Sequence, residues 1–297
     1  MKTQKKAYIF ALSAVLLWST VATAFKIALG KLDYFQLLLF SSLTAFVFML
    51  GVISFTGKWK SLFSISLKDF SMTILNGFLN PFLYYLILFK AYSILPAQEA
   101  MALNYTWPLM IVLFSIPFLK QKLSIKGFLA ILLSFVGVMV IAMKGNLMDF
   151  KFSNPKGDIL ALSSSLVWAS FWMLNLRSKL DESVKLFLSF GFGSVFSLIA
   201  CLMFSKVEIP DFSAFTSLVY VGLAEMGITF FLWLNALKYS DRTDKVSQMI
   251  FLSPVFSLIL ITTILGESLH WSTIAGLAFI LLGIFLHKQL TQKQPKK

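Results

Sequence analysis

The sequence predicts an all-α membrane protein with ten transmembrane helices arranged as two inverted five-helix repeats. Three observations predict it: an apolar composition, ten apolar runs of spanning length, and a second half that echoes the first. Of 297 residues, 58% are hydrophobic and 13% are Asp, Glu, Lys or Arg, about half the usual charged share. Phe alone contributes 32. A soluble domain of this size cannot hide so much apolar surface. A spanning helix uses roughly 20 residues, so ten spans take about 200 and leave only short loops. This excludes a receptor with an ectodomain, a membrane-anchored globular enzyme and a transport ATPase on one chain.

The runs lie at 7–29, 35–55, 71–92, 97–119, 125–143, 157–176, 184–204, 213–238, 245–266 and 272–290. All are helices, because open strands leave backbone groups unpaired in lipid. The first run follows Lys2, Lys5 and Lys6 and contains Ala22-Thr23-Ala24, a string compatible with signal cleavage. It is too long for a usual signal core and is read as a span.

Polar side chains within the runs are costly and face a cavity or another helix. In span 1, Ser19, Thr23 and Lys26 share a face with Trp18 beside it. In span 3, Asn76, Asn80 and Tyr84 recur every four residues and form one stripe. Span 4 carries Glu99 near its start, then Asn104 and Trp107 three apart. Span 5 has a face of small residues, Gly127, Ala130, Ser134 and Gly137, suited to close packing within the molecule. In span 6, Ser164, Trp168, Trp172 and Asn175 form a stripe. In span 8, Glu225 and Thr229 share a face, with Trp233 adjacent.

Two readings compete for these stripes, helix-to-helix glue and cavity lining. Rings and amides together suit a small zwitterion with an apolar side chain. The candidate substrate-binding set is therefore Trp18, Asn76, Asn80, Tyr84, Asn104, Trp107, Trp168, Trp172, Glu225, Thr229 and Trp233. Lys26 and Glu99 lie at similar depth and are candidates for an ion pair closing an outer gate; the alternative is that Lys26 snorkels to the interface. Pro108 and Pro254 are read as mid-helix breaks that free the carbonyls of Asn104 and Ile250, as hinges, substrate ligands or simple kinks. Glu225, the deepest acid, has three readings: proton carrier, binder of a substrate ammonium, or structural glue.

The halves, 1–148 and 149–297, resemble each other. Ala11-Leu12-Ser13 and Trp18 match Ala161-Leu162-Ser163 and Trp168; Tyr92-Ser93 matches Tyr239-Ser240; Pro108, Leu123 and Gly137 match Pro254, Leu269 and Gly283. Five spans per half force the second half to run inverted, an architecture of secondary transporters with a midplane site. Of the 26 basic residues, 19 fall in the N-tail, 56–70, 120–126, 177–185, 238–245 and the C-tail. The positive-inside rule then places both termini in the cytoplasm.

The net charge of +13 follows from this topology, and no nucleic-acid partner is expected. The expected partners are a small-molecule substrate and the lipid bilayer, in a monomer or a dimer. His270, His287 and Cys201 are the only histidines and cysteine, too few for an ordinary metal site; no cofactor is expected. Gly51 to Lys58 has the wrong spacing for a P-loop. No G-x-S-G-type nucleophile or deep Asp is present, so no enzyme activity is expected.

Several strings carry a family resemblance. They are Leu17-Trp18-Ser19-Thr20, Gln98-Glu99, Asn104-Tyr105-Thr106-Trp107-Pro108, Val167-Trp168-Ala169, Ala236-Leu237-Lys238-Tyr239, Ser253-Pro254 and Gly266-Glu267. The chain resembles the drug/metabolite transporter superfamily, EamA type, and span 4 resembles its aromatic amino acid exporter branch. The resemblance implies ten helices, cytoplasmic termini, and a central cavity lined mainly by spans 1, 3, 4, 6, 8 and 9. Spans 5 and 10 are then peripheral. Lys26 and Glu225 depart from the family pattern. The expectation is an inner-membrane secondary transporter in which the halves rock around the cavity and export small metabolites, apolar or aromatic amino acids first. Export of cationic drugs or import of another metabolite is the alternative, and a membrane-embedded lipid-modifying enzyme a remoter one.

Overall fold

The computed structural model describes residues 2–119, 125–145, 154–175, 178, 180–240, 246 and 249–292. Among them every regular element is a helix. The order is α1 (Lys2–Leu29), α2 (Tyr34–Thr56), the short α3 (Trp59–Phe63), α4 (Leu67–Gly77), α5 (Tyr84–Ile94), α6 (Ala97–Asn104) and α7 (Trp107–Leu119). Then come α8 (Ile125–Ala142), α9 (Pro155–Asn175), α10 (Glu182–Phe204), α11 (Phe212–Val221), α12 (Ile228–Lys238), α13 (Ser253–Leu265) and α14 (Trp271–Gln292).

Short polar side chains start several helices by satisfying orphan backbone N–H groups. Asp33 accepts from Phe35 and Gln36 N–H at 2.7 and 3.1 Å, and the Gln36 side chain accepts from the Asp33 N–H. Ser66, Asp181 and Asp211 do the same for α4, α10 and α11.

Seven helices are long and apolar enough to cross a membrane, from Gln4–Leu29 to Phe212–Lys238; Met249–Leu265 and Trp271–Leu286 are shorter apolar helices. The fourth run is divided at Tyr105 and Thr106 into α6 and α7. The third is interrupted by a π turn at Phe78–Leu83 and the eighth by one at Gly222–Gly227. The expected continuous stripe of Asn76, Asn80 and Tyr84 is therefore corrected. Asn80 has φ −146° and ψ 121°, because a residue before proline avoids the helical region, and Pro81 resets the register. Pro108 needs correction too: it lies in the first turn of a new helix, α7, rather than mid-helix, where its missing N–H costs nothing. Pro254 marks a break within a helical run, where a one-turn 3-10 helix, Met249–Leu252, passes into α13. The basic residues at 120–124, 151, 177, 179, 242, 245, 293, 296 and 297 used for orientation lie outside the described residues.

Packing crosses between the halves. The small face of α8 lies on α14, where a Cβ on Gly137 would collide with the Gly276 carbonyl. Ser134 Oγ donates to the Ile280 carbonyl at 3.1 Å. α2 lies on α10, α1 on α12 and α13, and α9 on α5 and α7. The α2/α10 pair is tied at both ends. Lys58 Nζ reaches both Asp181 carboxylate oxygens at 2.7 and 2.8 Å. At the other end Ser205 Oγ donates to Asp33 at 2.7 Å and Gln36 Nε2 to the Lys206 carbonyl at 3.0 Å.

Candidate functional site

Two of the helix breaks, the α6–α7 break and the second π turn, meet at one cavity, which α1, α5, α9 and α13 also line. Aromatic rings dominate its wall: Trp18 and Phe25 from α1, Tyr84 and Tyr92 from α5, Tyr105 and Trp107 from the break, and Trp168 from α9. Trp168 lies 4.7 Å from Tyr84, ring centre to ring centre, and 5.6 Å from Phe230. Such pairs fix the rings in place.

Two polar arrangements interrupt the rings. Tyr84 Oη donates to Asn104 Oδ1 at 3.2 Å, and Asn104 Nδ2 donates to Ser164 Oγ at 2.8 Å. That chain links α5, α6 and α9. The second is Glu225. Tyr85 Oη donates to its Oε1 at 2.9 Å, while Oε2 has no hydrogen-bond partner and the residue is 6% exposed. An acid with one lone neutral donor in a buried wall is an incomplete arrangement.

Of the residues expected at the site, Trp18, Tyr84, Asn104, Trp107, Trp168 and Glu225 line this cavity. Trp233 stands behind Trp18, 5.4 Å away, and Trp172 behind Trp168 at 6.1 Å. Both support the wall instead of forming it. Thr229 is also displaced from the expected role: its hydroxyl donates to the Ala224 carbonyl within the π turn, which the widened turn leaves available. Asn76 and Asn80 do not line the cavity. They are buried with all four amide atoms unpartnered, in segments that pack on α10.

Lys26 and Glu99 form no ion pair. Lys26 Nζ donates to the carbonyls of Tyr92 and Leu95, each at 2.9 Å, acceptors that the end of α5 leaves without a helical partner. Glu99 lies beside Asp158 instead. The partner of the turn after α5 is Glu267. It accepts from Ala97 N–H at 2.8 Å and Gln98 N–H at 3.4 Å, the first donors of α6. Gln98 in turn donates to the Ser268 carbonyl and accepts from His270 N–H, at 2.8 and 3.1 Å.

The sequence reading quoted Tyr105 and Ser253 only within family strings and passed over Tyr85 and Ser257. The signal for the serines was present: two hydroxyls four apart astride a proline share one helix face.

The EamA-like transporter family model matches residues 5–143 and, separately, 155–287. An uncharacterized transporter of Clostridium kluyveri is 24% identical, over 97% of this chain and 95% of its own. The aromatic amino acid exporter YddG of Ancylobacter novellus is 24% identical, over 87% of this chain and 88% of its own. A crystal structure with 21% sequence identity superposes with a TM-score of 0.68, covering 97% of this chain and 98% of that one.

Proposed function

The chain belongs to the EamA-like transporter family, and from that premise we propose that it is a secondary transporter exporting small metabolites, apolar or aromatic amino acids first, by alternating access through the central cavity. It acts in the cell inner membrane as ten spans in two inverted repeats with cytoplasmic termini, and it performs no covalent chemistry. Separate matches to each half support the repeat. So does the packing, in which α1 with α12 and α13 mirrors α9 with α5 and α7.

The observation that carries the reading is an aromatic cavity holding one incomplete carboxylate, Glu225. A substrate ammonium supplies the donor that Oε2 lacks, and Trp18, Trp107 and Trp168 cover the side chain. A carboxylate in this setting is stabilised strongly by a charge-assisted hydrogen bond. The binding role is favoured over a proton relay, because no lining residue besides Glu225 is Asp, Glu, His, Lys or Arg. The same fact supports a second reading, export of organic cations, since no base lines the wall.

Proteoliposomes of the purified protein test the reading. Labelled phenylalanine loaded inside should exchange with external unlabelled phenylalanine and leave chemically unchanged. Modification of the solute would overturn the carrier reading in favour of an enzyme. Reporters fused after residue 297 and within 146–156 test topology; the same compartment for both would overturn the inverted repeat.

A further inference from the structure

We infer that α13 supplies the anion-binding pole of the site: the Ser257 hydroxyl binds the carboxylate of an α-amino acid whose ammonium lies at Glu225. This rests on the carrier reading above and narrows it from amines in general to zwitterions.

The physical difficulty of a zwitterion here is its carboxylate, which needs donors once removed from water, and no cationic side chain lines the wall. Ser257 offers a donor. It lines the cavity, is 2% exposed, and its hydroxyl has no partner. Many hydroxyls inside the spans donate to a carbonyl three or four residues back, as Ser19, Ser164, Ser194 and Ser197 do. Ser257 leaves that option unused.

The wall around it is polar as well. α13 begins at Ser253, on the cavity wall, directly after a one-turn 3-10 helix, Met249–Leu252. Ser253 is held there by Ser19, whose Oγ lies 3.5 Å away.

The matching helix of the first half shows that this is not a feature of the scaffold alone. α7 also begins at the cavity with proline second, but Trp107 stands where Ser253 does, and one turn on is Ile111 in place of Ser257. Of these two helices, only the one in the second half places serine hydroxyls on the cavity wall. Glu225 is in that half too, one span earlier. Acid and donor thus set an axis for the zwitterion, and rings from the first half take the side chain.

The test is exchange of labelled phenylalanine in proteoliposomes, with phenethylamine as a competitor that has the ammonium but no carboxylate. A parallel run uses labelled phenethylamine. In Ser257→Ala, half-saturation by phenylalanine should rise about tenfold, as loss of a hydrogen bond to a charged group predicts. Phenethylamine should stay within about twofold, since it never made that bond. Ser257→Cys, which keeps the volume and weakens the donor, should fall between. Equal losses for both solutes, or unchanged phenylalanine affinity, would overturn the proposal. Wild-type protein that exchanges phenethylamine but ignores phenylalanine would overturn it while leaving a carrier of amines standing. Exchange of neither solute would remove the substrate reading and this inference with it.

Discussion

The two π turns, Phe78–Leu83 in the first half and Gly222–Gly227 in the second, interrupt corresponding spans and do opposite things. The first is made by Pro81. It packs on α10, and the amides of Asn76 and Asn80 around it are buried without partners and away from the cavity. The second contains no proline. It starts at Gly222, where a Cβ would press on the Ser41 carbonyl, and it brings Glu225 to the cavity wall against Tyr85. The released Ala224 carbonyl is satisfied by Thr229. The chemistry of the cavity wall is therefore one-sided: its acid and its unpartnered serine hydroxyl come from the second half, most of its rings from the first.

This contrast can be broken. The largest effect is expected from Glu225→Gln, which keeps size but removes charge. Affinity for phenylalanine in the exchange assay should fall about 10- to 100-fold, the worth of a hydrogen bond to a charged group, with folded yield near wild type. Substrate-driven acidification in wild type that vanishes in this variant would instead make Glu225 a proton carrier. Asn104→Ala comes next. It cuts the link between Tyr84 and Ser164, and flux should drop roughly fivefold, about one ordinary hydrogen bond; unchanged flux would make that chain mere packing. Asn80→Leu should do far less, leaving flux within about twofold and the melting temperature unchanged or higher, because replacing an unpartnered buried amide by an apolar group loses no bond. A loss as large as that of Glu225→Gln would erase the distinction between the turns.

The smallest effect concerns Lys58 and Asp181 outside the spans. Burial pushes the Asp181 carboxyl upward, but the Lys58 ammonium and the Ser183 and Val184 N–H groups outweigh it and hold it below the usual range. A depressed folded value means stability is present above the ordinary Asp pKa and is lost as pH falls through the lowered one. Lys58→Ala should cost at most about 1 kcal/mol, since the pair is part-exposed. The cost should be read as a small drop in melting temperature at pH 7 that shrinks toward pH 3 and at high salt.

The spans were legible in the sequence because hydrocarbon demands long apolar helices and little else. The cavity rings Trp18, Trp107 and Trp168 were legible because a large ring with a polar edge is conspicuous inside an apolar run. The Asn76–Asn80–Tyr84 stripe misled, although Pro81 stood next to Asn80: counting in fours assumes an unbroken helix, and a proline cancels the count. The second π turn has no such marker, so the position of Glu225 relative to Thr229 was not readable. Glu267 was quoted only as part of a family string. Its bond to the start of α6 joins residues 170 apart in the chain, a distance over which local pattern carries no information. The spacing of Ser253 and Ser257 around Pro254 was readable, but not that the Ser257 hydroxyl combines a place on the cavity wall with a missing partner.

The ties at both ends of the α2/α10 pair bear on how such a molecule can move. A post fastened at floor and ceiling does not lean unless one fastening lets go, and the interlocked backs of α8 and α14 form a second post. Swinging the sequence halves as two rigid blocks would have to break Lys58 from Asp181 or Ser205 from Asp33 in every cycle. Between the posts stand two leaves, α1 with α12 and α13, and α9 with α5 and α7. Each leaf takes one helix from one half of the chain and its companions from the other. Each leaf therefore joins the two halves of the sequence, so cutting the chain at its midpoint divides both leaves.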